Sequence, residues 1–247
     1  MIFIILSKIG AAPCHYWYPS TIRIVRWINC FILSTWQKLA PIFILTYIIC
    51  FNIKFPNLEI IVSLNALTGG LIGIRQTLLK KIIAYSSITH IAWILRRLIV
   101  HKPYLSIIYL LLYSMTSLPL FILFSITGNE KIDDLWNKYE SSILIIIIYL
   151  FILSTRGLPP LIGFIQKLII INLLVKYSIL SIIILIAGSL INLFFYLNIG
   201  LNALSTDQFT TQTKIRKPPQ LWILNSLLIL NLLSIVIIIL YALIILI

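Results

Sequence analysis

The apolar run at residues 27–50, WINCFILSTWQKLAPIFILTYIIC, carries a lysine near its centre, and this combination constrains the fold more than any other feature of the chain. About 20 apolar residues cross the ~30 Å hydrocarbon core of a bilayer as one helix, so the run is predicted to span. Roughly eleven residues separate Lys38 from either end, about 16 Å of helix at ~1.5 Å per residue. A lysine stem reaches only about 6 Å, too short to carry the ammonium to a headgroup layer. A charge at mid-membrane costs on the order of 3 kcal/mol. Such a residue faces protein or water and marks an ion or proton path.

The whole chain has the same character. Its 247 residues are 61% hydrophobic and 10% charged, against about 25% charged in a soluble domain. The reading is one all-α polytopic membrane domain over 1–247. The first apolar run leads into a polar segment without an A-x-A site, so no cleavable leader is expected. The net charge of +13 invites a nucleic-acid partner. However, the lysines and arginines fall between or inside apolar runs and leave no basic face to track phosphates. Cys14, Cys30 and Cys50 form no CxxC and no metal spacing, so neither a disulfide framework nor a metal site is expected. Crowding by isoleucine, asparagine and lysine with only two methionines suits an AT-rich organellar genome.

Apolar periodicity predicts about eight membrane segments. They lie near 2–19, broken at Gly10 and Pro13; 27–50; 58–74; 82–100; 104–127; 142–177, broken by STRGLPP at 154–160; 178–200; and 220–247. His15, Tyr16, Trp17 and Tyr18 suit an interface belt. Glu59 suits the first turn of its helix, where an acid complements the dipole. Basic loops are expected at 20–27, 75–81 and 96–103, an acidic solvated loop at 128–140 and a polar one at 201–219. Lysine and arginine in alternate loops number ten against five, which places both termini outside by the positive-inside rule.

Two Pro/Gly-interrupted helices in separate halves point to a transporter built from repeats, with its site near mid-membrane. A lysine sits close to each break, Lys8 at the first and Lys167 after the second, with Lys38 between them. All three are expected at comparable depth and desolvated. His90, ending the hydroxyl-rich run AYSSITH, is ionisable inside a span and suits either a proton path or packing. Every Asp and Glu falls in a loop or at a span edge, so no carboxylate is expected at depth.

The segments KIGAAPCHYWYP, TWQKLAP, LLKKIIAYSSITHIAW and GLPPLIGFIQK resemble, in order and spacing, the subunit 2 family of mitochondrial NADH–ubiquinone oxidoreductase, respiratory complex I. The resemblance covers nearly the whole chain. It implies an antiporter-like inverted-repeat fold in the membrane arm of the complex, in the mitochondrial inner membrane with both termini toward the intermembrane space. It also implies proton translocation through Lys8, Lys38 and Lys167, with His90 matching the histidine of the polar chain between them. NADH, FMN, iron–sulfur clusters and ubiquinone would belong to other subunits, leaving no cofactor and no redox centre here. The partners implied are the other membrane-arm subunits and phospholipids.

Two departures stand out. The family carries about three further helices before the lysine matching Lys8, one bearing the glutamate that pairs with it. The expectation is a truncated N-terminus with those helices supplied by a separate polypeptide. Arg156 stands where the family usually has a small residue. It could bind helix-end carbonyls, hold a lipid headgroup or perturb Lys167 as a modulator. The alternatives to a pump are a non-pumping scaffold subunit of the same complex and a free-standing cation/proton antiporter. The retained lysines speak against the first. The lack of acid at depth speaks against the second, because hard cations need oxygen ligands.

Overall fold

The computed structural model describes residues 2–50, 58–100, 103–128, 130–131, 142–158, 161–175, 177 and 179–205. Within them the chain forms ten helices: α1 (Ile2–Ile9), α2 (Trp17–Ile24), α3 (Trp27–Ser34), α4 (Trp36–Cys50), α5 (Leu58–Ile74), α6 (Leu79–Ile99), α7 (Pro103–Thr127), α8 (Ser142–Arg156), α9 (Ile162–Leu174) and α10 (Ile179–Ser205). Pairing of the sheet type is confined, among the described residues, to one bridge between Leu78 and Lys131. Three helical runs there are long and apolar enough to cross a membrane: Trp27–Ile49, Pro103–Thr127 and Ile179–Asn198. The segment expected at 220–247, most of the acidic loop, and residues 206–219 lie outside the described residues.

Helix α6 is the pillar of the fold. It packs against α2, α4, α5, α7, α9 and α10 and is buried along nearly its whole length. Its early residues, from Leu79 to Ile88, join an apolar cluster with Tyr18, Trp27, Phe121, Phe124 and Phe151. Its later ones, from Ile91 to Val100 just past the helix, join a second cluster with Leu45, Tyr109 and Ile170. Ser87, Thr89 and His90 fall where the two clusters meet. The α5–α6 seam is close because Gly69 lets the backbones approach: a Cβ there would stand 2.7 Å from the Tyr85 carbonyl oxygen. Small residues at such seams are the usual device of membrane helices.

Non-helical chain at membrane depth must find partners for its backbone groups, and hydrogen bonds such as those from the Gly10 N–H to the Ser7 carbonyl and from the Gly157 N–H to the Ser154 carbonyl supply some of them. In the first, Gly10 adopts φ 78° and the Ala12–Pro13 bond is cis. The Ala12 N–H donates to Asn65 Oδ1 of α5 at 2.8 Å, and Trp17 Nε1 donates to the Ser7 carbonyl at 2.8 Å. In the second, Gly157 has φ 82° and lies against Gly163, where a Cβ would meet the Ser154 carbonyl oxygen at 2.2 Å. This break is shorter than 154–160, because Ser154–Arg156 remain helical.

Several sequence expectations are corrected. Residues 27–50 do not make one helix: Thr35 interrupts them at φ −120°, ψ −68°. The Ser34 and Thr35 hydroxyls both donate to the Phe31 carbonyl, at 3.0 and 2.8 Å, and such back-bonding bends helices. Pro41 then removes a further ladder bond. Residues 20–24 belong to α2 and residues 79–81 to α6, so the basic loops there are shorter than expected. Arg96 and Arg97 are not loop residues; they lie in the last turn of α6 and are buried. Arg96 meets Glu59 at 2.6 Å, so that acid has a charge partner as well as a dipole. Glu130 of the acidic segment meets Lys80 at 3.3 Å. His15 and Tyr18 are buried, which leaves Tyr16 and Trp17 as the exposed aromatics of the expected belt. The helix expected at 178–200 runs on to Ser205.

Candidate proton-relay site

The interruption at Thr35 places Lys38 in the first turn of α4, where its N–H bonds the Thr35 carbonyl at 3.2 Å. The side chain points into the bundle and is 3% exposed. Its ammonium donates to Ser87 Oγ of α6 at 3.2 Å and lies 4.7 Å from the centre of the Tyr18 ring. The Ser87 and Tyr18 hydroxyls are 2.9 Å apart. Cation–ring attraction and a charge-assisted hydrogen bond thus replace the water that the ammonium gives up.

His90 follows Ser87 by three residues and so lies on the same face of α6. It is buried, with Nδ1 2.7 Å from Tyr109 Oη of α7 and its ring 4.6 Å from that of Tyr113. Lys38, Arg156 and Lys167 all act electrostatically on this ring. Two turns further along α6, the Arg97 guanidinium sits 4.7 Å above the Tyr109 ring. It donates to the Leu105 carbonyl and, at 3.2 Å, to the Gln166 carbonyl of α9. Lys167, the next residue, donates from Nζ to the Arg156 carbonyl at 2.5 Å, across the second break. The Arg156 guanidinium lies 3.8 Å over the Tyr196 ring of α10 and donates to its hydroxyl.

The structure therefore brings Lys38, His90, Lys167 and Arg156 into one interior. Lys8 is apart from them: it is exposed and borders a groove of about 810 Å³ between α1 and α4 that Trp17, Gln37 and Pro41 also line. In this chain taken alone Lys38 is buried, Lys167 is half-buried and Lys8 is exposed. Sequence reasoning missed Tyr18, Tyr109, Tyr113 and Tyr196, which partner the buried cations and His90, and it misplaced Arg97. The tyrosines left no signal beyond their place in apolar runs. Arg97 could have been found by its spacing of seven from His90, which puts both on one helix face.

Residues 1–192 match the family described as NADH:quinone oxidoreductase/Mrp antiporter, transmembrane. The chain belongs to this family. It is 41% identical over 209 residues to NADH-ubiquinone oxidoreductase chain 2 of Lumbricus terrestris, covering 81% of this chain and 60% of that one. It is 38% identical over 218 residues to the protein of the same name from Ornithorhynchus anatinus, covering 85% and 61%. A chain of respiratory complex I from Thermus thermophilus, solved with bound aureothin, superposes with a TM-score of 0.78 at 22% identity, covering 94% of this chain and 54% of that one. The antiporter-like polytopic helical fold follows from these matches. The chain spans about three fifths of the length of the curated relatives it matches.

Proposed function

We propose that this family member is an antiporter-like, proton-translocating subunit in the membrane arm of respiratory complex I, in the mitochondrial inner membrane with its termini toward the intermembrane space. Protons pass among Lys38, His90 and Lys167 through the intervening hydroxyls and transient water. NADH oxidation, FMN, the iron–sulfur clusters and ubiquinone belong to other subunits, and phospholipids surround the bundle. The observation that carries the reading is Lys38: a buried ammonium in an apolar run, held by hydroxyls and a ring, with no carboxylate among the described residues as its ion-pair partner. A purely structural cation is held most cheaply by a carboxylate, whereas one held by neutral groups keeps the freedom to lose its proton.

Lys8 enters the route from the exposed side. A glutamate on a neighbouring helix packed over the groove would pair with Lys8, whether that helix belongs to this chain or to another polypeptide. The deciding experiment replaces Lys38 with Met in the assembled complex and follows acidification of membrane vesicles during NADH oxidation. A relay loses at least tenfold of its pumping while the complex still assembles. Unchanged proton transfer per NADH would leave the scaffold reading in its place.

A further inference from the structure

Arg156 is a permanent cation in the wall of the second break, and the relay just proposed gives it no task. It is 3% exposed. Its guanidinium is fixed on Tyr196 by stacking and by a hydrogen bond, yet its Nε has no hydrogen-bond partner. Among the described residues the ion pairs are Lys80–Glu130 and Arg96–Glu59, and neither reaches it. Its own carbonyl accepts the Lys167 ammonium at 2.5 Å.

We infer that Arg156 is the positioning residue of the second break: its carbonyl seats the Lys167 ammonium, and its guanidinium, pinned to Tyr196, stands as a fixed charge in the wall beside it. The inference rests on the relay reading of Lys167. An arginine suits the task because it does not deprotonate in proteins. The field it exerts therefore stays constant while Lys167 changes state, and Tyr196 ties that field to α10. A headgroup-binding role does not fit, because the guanidinium faces an interior tyrosine. A carbonyl-capping role does not fit either, because the guanidinium donates to the Tyr196 hydroxyl.

The test uses the assembled complex in native membrane vesicles, with NADH oxidation and proton movement measured together. Lysine keeps the charge and loses the planar fork, whereas glutamine loses the charge. Arg156→Gln is expected to lower protons moved per NADH at least fivefold, and Arg156→Lys to retain half or more. Tyr196→Phe, which keeps the ring but drops the hydroxyl, is expected to fall between them. Equal loss in Arg156→Gln and Arg156→Lys, including failure of both to assemble, would overturn the inference in favour of a structural anchor. Normal coupling in Arg156→Gln would also overturn it. Lys167→Met separates the two claims: intact pumping in that variant refutes the relay itself, whereas lost pumping beside a normal Arg156→Gln refutes only the role given to Arg156.

Discussion

A single methyl group at Gly163 is expected to disable the second break. The Cβ of Gly163→Ala would stand 2.2 Å from the Ser154 carbonyl oxygen and 2.9 Å from the Gly157 nitrogen, both backbone atoms that no rotamer change can move away. Carbon–oxygen contacts settle at about 3.3–3.6 Å, so the two halves of the broken helix must part by roughly 1 Å. Lys167 lies four residues beyond Gly163, and its acceptor, the Arg156 carbonyl, lies two residues past Ser154, so the strain falls on that 2.5 Å hydrogen bond. Overpacking of this kind costs about 1–3 kcal/mol, and a displacement near 1 Å in a positioned site can cost about a hundredfold in rate. Gly73 is the control, because a Cβ there meets neighbours at 3.6 and 3.7 Å, ordinary contact. Proton movement per NADH in vesicles should fall at least tenfold in Gly163→Ala and by less than a factor of two in Gly73→Ala. The thermal midpoint of the solubilised complex should drop only in the former. Equal behaviour of the two variants would refute the claim that close backbone approach at the break positions Lys167.

Asn65→Leu should lower the thermal midpoint of the complex, since it leaves the Ala12 N–H of the first break without its acceptor, a loss of about 1–3 kcal/mol for a buried donor. Tyr109→Phe should reduce pumping several-fold in the vesicle assay without loss of assembly, because it takes the hydroxyl from His90 Nδ1. Glu59→Gln should lower the thermal midpoint of the complex and leave pumping intact, because it takes the carboxylate from the buried Arg96 guanidinium without touching the interior around Lys38.

The sequence marked both breaks, since glycine with proline inside an apolar run has few other meanings, and it marked Lys38 and Lys167 because a lysine there has no way out. What it could not mark was sidedness along a helix that is buried all round. Helix α6 carries Lys80, His90, Arg96 and Arg97 among apolar residues, and a charge near the end of such a run reads as a loop. The burial of Arg96 and Arg97 depends on Glu59, Leu105 and Gln166, which reach them from other helices. The kink at Thr35 was hidden for a related reason: its cause is a pair of hydroxyls competing for one carbonyl, and serine and threonine are common in membrane helices without bending them. The exposure of Lys8 had no mark in the sequence, because depth along a helix and exposure across it are separate coordinates and spacing reports only the first.

The cations that reach into the bundle divide into two groups by what holds them. Arg96 and Lys80 meet the carboxylates of Glu59 and Glu130 near opposite ends of α6, and both carboxylates are largely exposed, at 58% and 65%. Such pairs tie the ends of the pillar to α5 and to the segment that follows α7. Lys38, Arg97, Arg156 and Lys167 are held instead by hydroxyls, backbone carbonyls and aromatic faces. Neutral partners solvate a charge without cancelling it. Two of the four are arginines that keep their charge, and two are lysines that can give it up. On the relay reading proposed above, Lys38 and Lys167 are the steps of the path and the arginines its walls.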